Sequence, residues 1–226
     1  MNHHLAVFGG TGFLGRHICK AAVQKGWTVT SISRRGVPNS DQHDGNIQNW
    51  TQQKIIYKGF LSGRDSLFSL FQLSQDEDLS YDKLNRDFAI QIADMVSQAN
   101  KNIPFVYLSA ANTFPGIPRK YIETKREAED YICSVQNIRP IIMRPGLMYS
   151  KERPITLPLA GIIDITSNIN KLFCGKIPFL NVVGVKPLKV ETVANAIIQS
   201  IHKEFKGIAS VEHIEKLASA LQKTHS

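Results

Sequence analysis

The sequence has few cysteines and no long apolar run. Its three cysteines, Cys19, Cys133 and Cys174, are far apart and odd in number. This spacing predicts neither a disulfide framework nor a zinc site, so we expect no bound metal and a reducing compartment. No apolar stretch is long enough to cross a bilayer, and we therefore expect no transmembrane segment.

Acidic residues are also scarce relative to basic ones. The 226 residues include 27 lysines and arginines against 19 acids, a formal net charge of +8. An excess of positive charge favours binding to nucleic acid, to an anionic membrane surface or to an anionic cofactor. The basic residues are scattered along the chain, so we expect no nucleic-acid binding. The composition does not distinguish between the other two explanations, peripheral membrane contact and an anionic cofactor.

A glycine-rich segment lies near the start of the chain. Leu5 to Phe8 is a short apolar run typical of a buried strand, and Gly9-Gly10-Thr11-Gly12-Phe13-Leu14-Gly15 follows it directly. A helical pattern begins at once after these glycines. A strand, a glycine turn and a helix in this order predict a Rossmann-type unit that binds a dinucleotide.

The spacing of these glycines has a physical reason. A tight turn from strand to helix needs backbone angles that other residues adopt only at a cost. Gly12 lets a diphosphate approach the main chain, and Gly15 lets the helix pack closely on its strand. The amide groups at the helix N-terminus then offer a partial positive charge to the phosphates.

The second predicted strand, Trp27 to Ser33, ends directly before Arg34 and Arg35. An acid at this strand end holds the ribose hydroxyl of NAD, whereas an arginine accommodates the extra phosphate of NADP. Here two arginines stand in place of the acid. Because a guanidinium matches a phosphate in charge and geometry, we expect NADP(H) in preference to NAD(H).

The rest of the pattern predicts one α/β domain over residues 1–226, with a doubly wound parallel sheet. A third strand is expected at Lys54 to Tyr57. Leu67 and Phe68 fall in a segment that predicts one or two helical turns where the fold needs a fourth strand. We therefore expect a sheet that is one strand short or shortened here. Residues 149–186 are expected to cover the substrate side.

The second informative segment is Tyr121-Ile122-Glu123-Thr124-Lys125, on a helix predicted after a strand that ends in Ser109. Residues at positions i and i+4 lie on one face of a helix. An ammonium nearby lowers the pKa of a phenol, which is about 10 for a free tyrosine. The pair can then exchange a proton at a carbonyl or carbinol oxygen while hydride moves to or from a nicotinamide.

Three motifs together resemble the atypical, or extended, short-chain dehydrogenase/reductase superfamily: Gly9 to Gly15, Tyr121-x-x-x-Lys125 and Arg144-Pro145-Gly146. Within it, the chain is similar to a branch that includes a fungal mitochondrial protein of coenzyme Q biosynthesis and the NADPH-binding accessory subunit of respiratory complex I. The similarity covers most of the chain except about residues 60–78. It is carried by residues 121–129, 139–146 and 205–207.

The resemblance implies a role for each matching residue. The phosphate loop would consist of Gly9, Gly10, Thr11, Gly12, Phe13, Leu14 and Gly15. Arg34, with Arg35 beside it, would reach the extra phosphate, and Pro145 and Gly146 would lie near the nicotinamide. The implied catalytic residues are Tyr121 and Lys125 as the proton-transfer pair, Asn85 as a proton relay, and Ser109. The superfamily's serine usually stands one or two residues further on, where this chain has Ala110 and Ala111.

The function that the resemblance implies is NAD(P)(H) binding in mitochondrial ubiquinone (coenzyme Q) biosynthesis, as an oxidoreductase or as an accessory, regulatory subunit. Its implied partners are proteins of the coenzyme Q biosynthetic complex, with a small-molecule substrate in the enzymatic case. A sugar-nucleotide epimerase or dehydratase is the alternative. The resemblance places the protein on the matrix side of the inner membrane, although the early first strand leaves no room for a cleavable presequence.

Overall fold

The computed structural model describes residues 3–33, 50–54, 66–69, 86–99, 101–111, 119–150 and 185–220. Within these ranges seven strands form one sheet: β1 (His4–Phe8), β2 (Thr28–Ser33), β3 (Trp50–Lys54), β4 (Ser66–Ser69), β5 (Ile103–Leu108), β6 (Ile138–Met143) and β9 (Gly207–Ala209). A separate parallel pair consists of β7 (Met148–Tyr149) and β8 (Leu188–Lys189). Most of the predicted substrate-side region, about 149–186, lies outside the described residues.

The strands of the large sheet stand in the order β3-β2-β1-β4-β5-β6-β9, and every neighbouring pair is parallel. The chain moves outward from β1 to β3 and then returns to the other side of β1 as β4. Such a reversal is the switch point where doubly wound sheets bind ligands, beyond the carboxyl ends of the strands. The predicted Rossmann-type α/β fold is confirmed.

Helices cover both faces of this sheet. The described residues form α1 (Phe13–Gln24), α2 (Phe88–Ser97), α3 (Arg119–Ser134), α4 (Val190–His202) and α5 (Val211–Ser219). Successive side chains of β5 point to opposite faces of the sheet, so they pack in two different hydrophobic clusters. Val106 and Leu108 pack with residues of α1, α4 and α5, whereas Phe105 and Tyr107 pack with residues of α2 and α3.

The fourth strand is present, and the prediction of one or two helical turns at Leu67 and Phe68 is wrong. β4 pairs with β1 on one side and with β5 on the other. Four residues that begin and end in serine are too few to show a helical or strand period. Hydrogen bonds to two neighbouring strands stabilise this segment, and a local pattern cannot show those contacts.

The described third strand begins earlier than its predicted position at Lys54 to Tyr57, of which residues 55–57 lie outside the described residues. It runs over Trp50–Lys54 and pairs only with β2 among the described strands. Among the described strands this is an edge position, and polar residues are common in edge strands. Within the described residues, no helix is both long and apolar enough to span a membrane.

Arg139 joins β6 to the C-terminal end of α4. Its guanidinium donates hydrogen bonds to the carbonyl oxygens of Phe205 at 2.9 Å, Ile201 at 3.2 Å and Ser200 at 3.5 Å. The last carbonyls of a helix have no partner within the helix. A positive charge placed there also interacts favourably with the helix dipole.

We predict that Arg139→Met lowers the free energy of unfolding by about 1–3 kcal/mol, because these carbonyls lose a charged donor. Urea denaturation followed by circular dichroism measures this change. Lys203→Met, at the exposed end of the same helix, is the control and should change stability by less than about 0.5 kcal/mol. Equal effects of the two substitutions would contradict the role assigned to Arg139.

Candidate functional site

The turn between β1 and α1 is closed by backbone hydrogen bonds. Gly9 has φ +81°, a left-handed conformation that glycine adopts without strain. Its N–H donates to the Ile32 carbonyl at 2.7 Å, and its own carbonyl accepts from the Gly12 N–H at 2.8 Å. The chain therefore turns sharply at the carboxyl end of β1, beside the switch point of the sheet.

Two further glycines of the segment are required by close contacts. A Cβ atom at Gly15 would lie 2.2 Å from the carbonyl oxygen of Gly9, which is far inside van der Waals contact. A Cβ atom at Gly10 would lie 2.2 Å from the hydroxyl oxygen of Ser31. The N-terminal end of α1 thus packs directly on the turn, and the turn packs directly on β2.

The N-terminus of α1 has the properties of an anion site. Gly12 precedes the helix in an extended conformation, and its lack of a side chain means that no side-chain cap occupies this end. The first turn of α1, all of it described, carries no acidic residue. Thr11 and Gly12 are only partly buried, whereas the side chains of Phe13 and Leu14 are buried in the core. Phe13 and Leu14 can therefore contribute only backbone atoms to a bound phosphate.

Three predicted site residues lie outside the described residues. They are Asn85, which immediately precedes the described part of the chain at 86, and Arg34 and Arg35, which follow the end of β2.

Lys125 and Tyr121 come together on α3 at the carboxyl end of β5. Lys125 is 1% exposed, and its Nζ donates a hydrogen bond to the Leu108 carbonyl at 2.8 Å. The same Nζ lies 5.0 Å from the ring centroid of Tyr107 and 5.6 Å from that of Tyr121. The ammonium therefore contacts two aromatic rings, an arrangement that favours its charged form.

Burial lowers the pKa of Lys125 from 10.5 to about 7, because desolvation disfavours the charged form. The neighbouring Glu129 carboxylate opposes this change and raises the pKa, whereas the Arg126 guanidinium lowers it further. Lys125 can thus gain or lose a proton near neutral pH. This is the range in which a side chain is most useful for proton transfer.

Ser109, at the end of β5, is buried and bonded to α3. Its hydroxyl oxygen accepts a hydrogen bond from Nη1 of Arg126 at 3.0 Å. Nη2 of Arg126 donates to the carbonyl of Ala110 at 2.9 Å and also to that of Ala111. Arg126 therefore holds residues 109–111, the described part of the segment that follows β5.

A buried carboxylate orients this arginine. Glu129 is 1% exposed, and its Oε1 accepts from Nη1 of Arg126 at 2.5 Å. Arg144, at the end of β6, donates to both oxygens of Glu129, with Nε at 3.0 and 3.1 Å and with Nη2. No role for Arg126 or Glu129 was predicted from the sequence, because a helix face rich in charge does not show which charges are buried. Their spacing of three residues was the available signal.

Pro145 and Gly146 lie where the ends of β5, β6 and β8 meet. The Ala111 N–H donates to the Pro145 carbonyl at 2.9 Å. A Cβ atom at Gly146 would lie 2.7 Å from a methyl carbon of Val185, just before β8. The structure thus brings the segment after β5 and the segment after β6 together at the carboxyl edge of the sheet.

The fold and the site together define a Rossmann-type protein. A glycine turn lies at the switch point of its sheet, and a tyrosine–lysine pair lies on α3 at the carboxyl end of β5. The sequence matches the NAD dependent epimerase/dehydratase family over residues 5–172. The chain belongs to this family. This match confirms the resemblance to the short-chain dehydrogenase/reductase superfamily that the motifs predicted.

Curated relatives extend the comparison along almost the whole chain. MIOREX complex component 2 of Saccharomyces cerevisiae is 29% identical, over 94% of this chain and 98% of the relative. A chloroplastic protein of Arabidopsis thaliana is 24% identical, over 98% of this chain and 79% of the relative. The mitochondrial protein fmp52-2 of Aspergillus oryzae is 25% identical, over 74% of this chain and 75% of the relative.

Solved structures show the same fold. The Bordetella bronchiseptica enzyme WbmH in complex with NAD+ matches with a TM-score of 0.62 and 15% identity, over 100% of this chain and 82% of the other. UDP-N-acetylglucosamine 4-epimerase of Bacillus cereus matches with a TM-score of 0.62 and 15% identity, over 98% and 82%. Similarity at such low identity shows the fold alone.

We predict that Lys125 makes stability depend on pH in a defined window. Between about pH 7 and the ordinary lysine value of 10.5 the unfolded chain binds a proton that the folded protein does not. The contribution of Lys125 to the free energy of unfolding should therefore rise with pH across this window. Lys125→Met should remove that rise in urea denaturation at a series of pH values.

Lys216→Met is the matched control, because Lys216 is exposed on α5. It should leave the pH dependence unchanged. An unaltered slope in Lys125→Met would show that the buried amine does not titrate as described.

Proposed function

We propose that the chain binds a nicotinamide dinucleotide, with the diphosphate on the turn between β1 and α1. The observation that carries the proposal is the geometry of that turn: left-handed at Gly9, without room for a Cβ at Gly15, and followed by an uncapped helix. A helix N-terminus of this kind favours an anion. Membership of a family named for its dependence on NAD supports the same conclusion.

The cofactor we propose is NADP(H) in preference to NAD(H). Ser33 is the last residue of β2, and Arg34 and Arg35 directly follow it. They stand at the strand end where an acid would select NAD. A guanidinium can form paired, charge-assisted hydrogen bonds to the extra phosphate.

Native mass spectrometry of the purified protein, followed by titration with NADPH and NADH, tests this preference. We predict that Arg34→Ala weakens NADPH binding about tenfold or more, since a charged hydrogen bond contributes about 1.5–3 kcal/mol. NADH binding should change little. Arg86→Gln is the control, because Arg86 pairs with Asp87 and Glu127 at the surface. Tighter binding of NADH than NADPH by the unaltered protein would refute the preference.

The biological role we propose is in coenzyme Q biosynthesis, within a multi-protein assembly in an organelle. Supporting observations are the sequence resemblance of residues 121–129 and 139–146 and the names of the relatives: a complex component in yeast, a mitochondrial protein and a chloroplastic one. A net charge of +8 suits peripheral contact with the anionic inner membrane on its matrix side. In this role the bound dinucleotide stabilises the folded subunit by mass action.

A second candidate function is oxidoreduction at a carbonyl or carbinol carbon. It is favoured by the position of Lys125, whose Nζ donates to the carbonyl of Leu108, the residue before Ser109, and lies 5.6 Å from the ring centroid of Tyr121. The nicotinamide would accept or supply hydride. Tyr121 would exchange the proton, and Lys125 would favour the phenolate and hold the ribose hydroxyls. A sugar-nucleotide epimerase, the alternative, shares the fold, but no further observation favours it.

We predict that Tyr121→Phe and Gly12→Asp separate these roles in cells that lack the native protein. Gly12→Asp places a negative charge at the phosphate site, so dinucleotide binding and coenzyme Q levels should both fall. Tyr121→Phe removes only a hydroxyl, so it should lower coenzyme Q only if the protein transfers a proton. Coenzyme Q quantified by mass spectrometry is the measurement. Normal levels in Gly12→Asp, with the dinucleotide lost, would contradict the proposed role.

A further inference from the structure

Two chain segments leave the carboxyl edge of the sheet side by side: residues 109–111 after β5 and residues 144–146 after β6. The Ala111 N–H donates to the Pro145 carbonyl at 2.9 Å, so the two segments stay paired beyond the strands. Segments past a strand end are generally more mobile than the strand itself. Side-chain contacts are therefore needed to fix where these two segments lie.

Arg126 of α3 supplies such contacts to the first segment. Its Nη1 donates to the hydroxyl oxygen of Ser109 at 3.0 Å. Its Nη2 donates to the carbonyl of Ala110 at 2.9 Å and also to that of Ala111. Because a guanidinium is planar and its donors have a fixed geometry, these three acceptors are held in place relative to one another.

Glu129 connects this arginine to the second segment. Its carboxylate is 1% exposed, and it accepts from Nη1 of Arg126 at 2.5 Å and from Nε of Arg144 at 3.0 Å. Arg144 directly precedes Pro145, and its N–H donates to the Ala209 carbonyl at 3.0 Å. A buried charge cannot leave its partners without a large loss of free energy. One carboxylate thus sets the positions of both segments.

These segments lie on one side of the proposed diphosphate site. The diphosphate is the middle of a dinucleotide, so the two nucleosides extend in opposite directions from the glycine turn. The proposed site of the extra phosphate, at the end of β2, is on one side of β1. The other nucleoside then crosses the switch point toward β4, β5 and β6. With neighbouring strands about 4.8 Å apart, the ends of β5 and β6 lie about 10 and 14 Å from β1.

We propose that Glu129 is a positioning residue for the nicotinamide nucleoside. Through Arg126 and Arg144 it keeps the segments after β5 and β6 in the arrangement that this half of the dinucleotide binds. The inference rests on the proposed function, because it assumes a dinucleotide whose diphosphate lies on the glycine turn. Glu129 acts through the two arginines and does not touch the ligand. The adenosine half, on the other side of the turn, does not depend on it.

Two ligands test the inference: NADPH and its half molecule 2′,5′-ADP, which lacks the nicotinamide nucleoside. Glu129→Gln keeps the size of the side chain and removes its charge. In calorimetric titrations it should weaken NADPH binding about tenfold and leave 2′,5′-ADP binding within about twofold. A merely structural role would lower the folded fraction and so weaken both ligands alike.

Glu127→Gln is the matched control, since it makes the same change on the same helix at an exposed residue that pairs with Arg86. It should leave both affinities unchanged. Arg126→Lys decides the question if Glu129→Gln does not fold. It keeps a cation beside Glu129 but loses the fork that holds the segment after β5. It should weaken NADPH binding several-fold and leave 2′,5′-ADP binding unchanged.

The possible failures are distinguishable. If the unaltered protein binds neither NADPH nor NADH, the proposed function fails and the inference fails with it. If it binds NADPH no more tightly than 2′,5′-ADP, or if Glu129→Gln weakens both ligands equally or neither, only the inference is overturned. A protein that binds NADH alone is tested in the same way, with ADP as the half molecule.

Discussion

The carboxyl edge of the sheet at β5 and β6 depends on one buried carboxylate. Glu129 is 1% exposed and lies between the guanidinium groups of Arg126 and Arg144. An unpaired charge at this depth would be strongly destabilising, whereas two cationic partners and several hydrogen bonds compensate its loss of hydration. Through these arginines the carboxylate links α3 to the ends of β5 and β6. The helix that carries Tyr121 and Lys125 is therefore held at a set place relative to the sheet.

The two halves of the site are built from different chemistry. At the turn between β1 and α1, glycines allow main-chain atoms to approach each other and leave the helix end uncapped. At the ends of β5 and β6, charged side chains satisfy one another and fix the backbone carbonyls of residues 108, 110 and 111. Backbone amides suit a diphosphate, which every dinucleotide carries. Oriented side chains suit the variable part of a ligand, where specificity is needed.

Prediction from sequence succeeded where structure is specified locally. The strand at Leu5 to Phe8, the glycine turn and the strand at 103–108 all follow from short-range composition and period. It failed at β4, Ser66–Ser69, because that strand depends on pairing with β1 and β5, which are distant in sequence. It also missed Arg126 and Glu129 as site residues, since a charged helix face is compatible with both solvent exposure and a buried network.

The sequence by itself determined the fold class and the two motifs, because glycine spacing and the i, i+4 placement of Tyr121 and Lys125 are properties of neighbouring residues. Only the tertiary structure decided the electrostatics. The lowered pKa of Lys125 and the hydrogen bond from Arg126 to Ser109 arise from desolvation and from contacts between α3, β5 and β6. Burial and long-range charge pairing depend on the packed arrangement of the elements, and no local pattern carries that information.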